Sequence, residues 1–216
     1  MYLTRFRVNP QRRESRKLLG SPQAMHAAVL SCFPDAPEPT PQARILWRVD
    51  TVGPKALLYI SGPVRPDPTA LKENAGWPEL PGGWDCVDYR PFLDKLDRGQ
   101  TWAFRLTANP VHFARATKDP DRTIPLGHVT TAQQTKWLLD RAAKHGMDIT
   151  PETVAVQESL NRQFRRQGRT VTLRTATYDG VLSITEPEAF RRMLSAGIGR
   201  ARGYGCGLMT LARVAT

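Results

Sequence analysis

Cysteine is scarce in this chain: three residues in 216, Cys32, Cys86 and Cys206, none in a CxxC spacing. An odd, scattered set argues against a disulfide framework or a zinc site and suits a reducing compartment. Long apolar runs are missing too, and no stretch approaches the roughly 18–20 residues of a membrane span. The opening MYLTRFRVNPQRR is charged at once and has no apolar segment of the signal-peptide kind, so the expected location is cytoplasmic. There is no HExxH, no GxSxG elbow and no carboxylate cluster suited to Mg²⁺, so any chemistry is expected to need no metal or other cofactor. Acidic residues are the minority, 20 against 31 lysines and arginines.

The resulting net charge of +11 is unevenly placed. Residues 1–17 carry +5, residues 160–170 carry +4 and residues 191–202 carry +4, leaving −2 for the rest. Arginines clustered without acidic neighbours are the footprint of a polyanion partner. No segment reads as a basic amphipathic helix with bulky apolar residues opposite, which favours nucleic acid over a membrane surface.

Forty per cent hydrophobic residues suffice for a core, and 216 residues fit one large domain or two of about 100 each. YLTRFRV (2–8) alternates as a strand. Ser21-Pro22 opens a helix whose Met25, Ala28, Val29 and Cys32 form one buried stripe. RILWRVD (44–50) and ALLYISG (56–62) are strands. Residues 63–100, broken by six prolines, are expected to link or complete this first unit, with a short helix near 91–97 and with Trp77 and Trp84 packed on the body.

The second unit, 101–216, repeats the order. TWAFRLTAN (101–109) is a strand, and Thr131 with Gln134 forms a capping box for a helix running to about 145. Three strands follow: TVAVQESLN, TVTLRTATY and VLSIT, the last two joined by a hairpin turn at Asp179-Gly180. Thr185 with Glu188 caps a helix carrying Phe190, Met193 and Leu194, and GLMTLARV closes the chain. The expected fold is α+β: two tandem ferredoxin-like βαββαβ domains with antiparallel sheets, the first spanning 1–62.

Between the last helix and strand lies SAGIGRARGYGCG. Glycines can turn backbone N–H groups toward a phosphate, and the loop adds side chains suited to an RNA or DNA backbone, so Gly199, Arg200, Arg202, Gly203, Tyr204 and Gly205 are candidate contacts. The order helix–loop–strand is the reverse of a P-loop. Arg162, Arg165, Arg166 and Arg169 surround a turn at Gln167-Gly168, a basic ribbon suited to a duplex. Of four histidines, His145 precedes a helix-ending glycine, where the dipole favours a cation, and His112 and His128 lie in loop-like sequence. His26 flanks the apolar stripe of the first helix, which brings its ring to a surface edge.

These residues resemble the CasE family, the type I-E CRISPR endoribonucleases that process the repeat RNA of Cascade. GIGRARGYGCGLMTL is similar to the family's glycine-rich signature, and WAFRLTANPV (102–111) resembles the first strand of its second domain. YLTRFRV together with His26, Val29, Phe33 and Pro34 resembles its first strand and catalytic helix. The likeness runs in order along essentially the whole chain. It implies two ferredoxin-like domains and metal-independent cleavage at the base of each repeat stem-loop. In that reaction a 2′-hydroxyl attacks the adjacent phosphate. The resemblance also implies His26 as general acid or base near its ordinary pKa, the arginine ribbon as the grip on the stem, and retention with the product among the other Cascade subunits. A non-catalytic RNA-hairpin-binding subunit on the same scaffold is the alternative, and a DNA-binding protein a third. Some members carry a tyrosine three residues before the histidine, where this chain has Gln23. Glutamine cannot exchange a proton, so His26 acts alone or with Lys17, Arg16 or another basic group. A Gln23→Tyr variant is expected to cleave faster in a single-turnover assay; an unchanged rate would show that Gln23 does not limit the chemistry.

Overall fold

The computed structural model describes residues 1–34, 40, 44–79, 81–116 and 119–214. The first half runs β1 (Tyr2–Val8), α1 (Arg13–Gly20), α2 (Pro22–Leu30), β2 (Leu46–Val52), β3 (Lys55–Gly62), α3 (Thr69–Ala75) and β4 (Trp84–Asp88). Its antiparallel sheet has the order β4-β1-β3-β2. Alternation along β1 and β3 sends Phe6, Val8, Leu58 and Ile60 inward, where they meet Met25, Val29 and Cys32 of the helical stripe. Ser21 caps α2 as expected, its Oγ accepting from the Ala24 N–H at 3.3 Å, with Pro22 in the first turn. Helix α1 has no counterpart in the sequence reading; only Ser15 and Leu18 of its eight residues are buried, too few for a legible stripe.

The proline-rich stretch serves both halves. Its α3 and β4 add a helix and an edge strand to the first sheet. Helix α4 (Arg90–Leu93) and the residues around it send Tyr89, Leu93 and Leu96 into the second core. Trp84 packs against the first core, whereas Trp77 stays 40% exposed, contrary to expectation.

The second half contains β5 (Thr101–Ala108), β6 (Val111–Ala116), β7 (Asp119–Gly127), α5 (Thr131–Ala142), β8 (Met147–Asp148), β9 (Val154–Arg166), β10 (Arg169–Ile184), α6 (Pro187–Ala196) and β11 (Met209–Ala212). Strands β6 and β7 form a separate hairpin where the sequence looks loop-like, and His112 lies on β6. The main sheet follows β11-β5-β10-β9, with the short β8 beside the end of β10. Each half is thus a βαββαβ unit with the same strand order, the ferredoxin-like arrangement.

Three local expectations need correction. Asp179-Gly180 is no turn: β10 continues through it for 16 residues, paired with β5. Gly180 is there for room, since a Cβ would lie 2.5 Å from the Thr153 carbonyl oxygen, and the Asp179 carboxylate is held by Arg105. The capping box of α5 is Thr130 with Gln133; Gln134 is buried instead, donating to the His128 carbonyl and Ser159 Oγ. Helix α6 starts without a side-chain cap, and the N–H groups of Thr185 and Glu186 both bond the Gly146 carbonyl. The turn at Gln167-Gly168 does form, with φ of 48° and 76°, both in the left-handed region a tight hairpin requires.

The halves are tied by Arg48 of β2, which is 1% exposed. Its Nε and Nη2 donate to the two Asp50 oxygens at 2.7 and 2.8 Å. Its Nη1 donates to the carbonyls of Arg105 and Leu208 at 2.7 and 2.9 Å, and Nη2 also reaches Thr210 Oγ1 at 2.7 Å. All five guanidinium N–H donors therefore have acceptors, three of them on the other half. Truncating one member of such a buried pair leaves an uncompensated charge. Arg48→Met is expected to lower unfolding stability by about 3–5 kcal/mol, read as a lower urea midpoint, and adding Asp50→Leu to recover much of that loss.

Candidate functional site

Burial of Met25 and Val29 fixes the rotation of α2 and turns His26, half-buried, toward the seam between the halves. On one side stands Trp47 of β2, whose Nε1–H donates to His26 Nδ1 at 3.4 Å. On the other lies a single 3₁₀ turn, Arg202–Tyr204, within the glycine-rich loop. A Cβ on Gly203 would stand 3.3 Å from His26 Nε2, so the turn's backbone lies against the ring. Gly205, with φ of 81°, is buried, and a Cβ there would come within 2.7 Å of the Trp47 indole. Only glycine lets the loop close this tightly over the tryptophan.

The third wall is β9. A bulge opposite Thr177 and Tyr178 makes Gln157 an extra residue and inverts the alternation beyond it. Before the bulge Val156 packs on the second core; after it, Ser159 faces α5 through its bond to Gln134. Leu160, Arg162, Phe164 and Arg166 then point the other way, toward the first half. The Phe164 ring meets Tyr204 with centroids 4.8 Å apart, and the Arg166 guanidinium lies 5.9 Å from the Tyr204 ring. Arg169 pairs directly opposite Arg166 and shares its face, while Arg165 alternates to the far side. Beside His26 a cleft of about 510 Å³ opens between the halves, with Met25, Trp47, Asp50, Arg105, Glu158 and Arg162 on its walls.

Burial, and after it the positive charge of Arg166, lowers the pKa of the His26 imidazole from its ordinary value. Both causes favour the neutral ring. His145 is also pushed down, by burial and then by Lys144, Arg202 and Arg141, against the direction expected of the helix end. The His128 ring lies 4.8 Å from that of His112 and is likewise lowered. Among the described residues no group of three or more His, Cys, Asp or Glu side chains is placed to hold a metal ion.

The fold thus brings His26, Arg162, Arg166, Gly203 and Tyr204 to one seam, with Arg169 opposite Arg166 at the exposed tip of the ribbon. Gln23 lies one turn before His26 on α2. Gly199 sits against Trp137, and Arg200 is exposed with its guanidinium 5.3 Å from the Phe113 ring on the β6–β7 hairpin. Arg202 is half-buried, its Nε without a hydrogen-bond partner, and its pKa is lowered by burial and by Arg44. Lys17 is paired with Glu14 at 3.0 Å, and Arg16 is exposed on α1. Two residues of the site went unnoticed in the sequence. Trp47 lies within a strand the sequence predicts, but nothing local marks its partner 21 positions away. Phe164, an aromatic between arginines in RQFRR, did carry a signal of the kind used in nucleic-acid contact.

A neutral imidazole facing a cationic seam can exchange a proton with a substrate whose anionic oxygens the guanidinium groups hold. Comparisons with known proteins identify the family. Residues 1–213 match the family described as CRISPR associated protein. The CRISPR-associated endoribonuclease Cse3 of Thermus thermophilus is 26% identical over 225 residues, 98% of this chain and 100% of that protein. The Cascade subunit CasE of Escherichia coli K12 is 29% identical over 124 residues, 55% of this chain and 61% of that relative. The structure of Thermus thermophilus Cse3 bound to an RNA representing a pre-cleavage complex has a TM-score of 0.78 at 25% identity, covering 98% of both chains. With a match from the first residue nearly to the last, this chain belongs to the CRISPR-associated protein family.

Proposed function

We propose that this protein is a metal-independent endoribonuclease that cuts CRISPR precursor RNA at the base of the repeat stem-loop and stays on the product as a Cascade subunit in the cytoplasm. The observation that carries the reading is the placement of His26, on a helix of the first half, against the glycine turn and the arginine ribbon of the second. The endoribonuclease Cse3 and the Cascade subunit CasE among its relatives support the same activity and assembly. Among the described residues no helix is long and apolar enough to cross a membrane.

In the proposed reaction the 2′-oxygen bonds to the adjacent phosphorus, the bond to the 5′-oxygen breaks, and a 2′,3′-cyclic phosphate and a 5′-hydroxyl result. One proton leaves the 2′-oxygen and one arrives at the 5′-oxygen, so no net proton is consumed. His26 serves this transfer. Arg166, whose charge already acts on that ring, stabilises the phosphorane. Gln23 positions the ribose or phosphate. Arg162, Arg166 and Arg169 grip the stem backbone on the face of His26, with Arg165 on the opposite face, and Arg200, Arg202, Tyr204 and the glycines of the loop hold the flanking phosphates.

His26→Ala is expected to slow single-turnover cleavage by about 10²–10⁴-fold with stem-loop affinity retained. A deoxy substitution 5′ of the scissile phosphate should abolish cutting and spare binding. Wild-type protein that binds the stem-loop but never cuts it would favour the non-catalytic subunit, and equal affinity for a DNA hairpin would refute RNA recognition. Arg166→Ala should weaken binding to all stem sequences and reduce the salt slope of log K by about 1.

A further inference from the structure

Resting on the proposed role of His26, we infer that Trp47 is a positioning residue that keeps this ring, in the free protein, in the tautomer with its proton on Nε2. An indole N–H can only donate, so the atom it meets must be an acceptor. That atom is Nδ1, at 3.4 Å. A neutral imidazole accepting at Nδ1 carries its hydrogen on Nε2. Nε2 is also the ring atom nearest the Gly203 turn, at 3.3 Å from a Cβ placed there, against 3.5 and 3.6 Å for its carbon neighbours. The proton is therefore presented to the turn and the seam.

The indole is not free to retreat. Trp47 is 2% exposed, wedged by the backbone of Gly205, and its neighbour in β2 is the fully bonded Arg48. Both the imidazolium and the Nδ1–H tautomer would set two N–H groups face to face. The charges around the ring act in the same direction but through a different route. Arg162 and Arg166 face it from β9, Arg202 and Tyr204 from the turn. Helix α2 has no charged residue of its own, Lys17 of α1 is paired with Glu14, and Arg48 and Asp50 of β2 offset each other. Replacing Trp47 by phenylalanine changes none of these charges; it removes the N–H together with part of the ring, which separates the indole's share from theirs.

The consequence is a bias in the chemistry. In the free protein Nε2–H is ready to donate to an anionic phosphate oxygen. To accept the 2′-hydroxyl proton at Nε2, the ring must first move its own hydrogen to Nδ1, against the indole. Substrate binding has to overcome that opposition, and the bond adds to burial and Arg166 in holding the ring's titration down.

The test is long-range ¹H–¹⁵N NMR of histidine-labelled protein without RNA, across pH, for the parent and Trp47→Phe. The parent is expected to show a protonated Nε2 and an unprotonated Nδ1. In Trp47→Phe the His26 titration should move up by about 0.5–1 pH unit, with the tautomers mixed. In single-turnover cleavage, the limb of the pH–rate profile that His26→Ala abolishes should move up by the same amount. A parent ring protonated at Nδ1 overturns the inference, as does an unshifted titration in a folded Trp47→Phe. Should that variant fail to fold, the parent's tautomer decides alone. A parent with the expected tautomer whose His26→Ala form still cuts at full rate would refute the catalytic reading while leaving the indole's hold on the ring upheld.

Discussion

Everything at the seam depends on a single buried guanidinium. Arg48 belongs to the first sheet but donates to backbone and side-chain oxygens of β5, β11 and the residue before β11, all in the second. Desolvating a cation is unfavourable, and here every donor is satisfied and a carboxylate neutralises the charge, so the penalty is offset only in one relative placement of the halves. A hydrophobic contact would tolerate sliding; a five-donor fork does not. Through Asp50 the network continues to Arg105, 3.9 Å away, and from there to Asp179 in the middle of β10.

That rigidity matters because neither half holds the whole of the candidate site. The imidazole and its indole partner come from the first, the guanidinium ribbon and the glycine turn from the second. A displacement of about 1 Å would break the indole bond and part the turn from the ring, which is the scale on which positioning governs rate. The lowered titration of the ring is itself a product of the junction, since burial comes from the closed seam and the repulsion from Arg166 across it.

The sequence disclosed what is local and periodic. The stripe of α2, its Ser21 cap, the arginine turn at Gln167-Gly168 and the closing glycine loop could all be read from neighbours in the chain. So could His26 as an edge residue, because Met25 and Val29 define the inward side. What stayed hidden was tertiary. Gly180 looked like a turn residue because the same amino acid serves both a positive φ and a close approach, and only the packing of Thr153 and Phe104 shows which. Helix α1 has too few buried side chains to mark itself, and the β6–β7 hairpin lacks a tight-turn dipeptide. The glycine loop looked like an open phosphate cradle; part of it is buried packing, with Gly205 against Trp47 and Ile198 and Cys206 inaccessible to solvent.

The extra residue Gln157 carries a consequence for how this ribbon can change over generations. Parity, not composition, decides which guanidinium groups face the imidazole. Losing one position from β9 between the bulge and the tip would rotate Arg165 inward and swing Arg162 and Arg166 out to solvent, though the tally of basic residues stayed the same. Lengthening or trimming by two would keep the arrangement and merely alter the reach. Lineages descended from such a ribbon should therefore vary in length by even steps, with odd ones admitted only where a second bulge restores the phase.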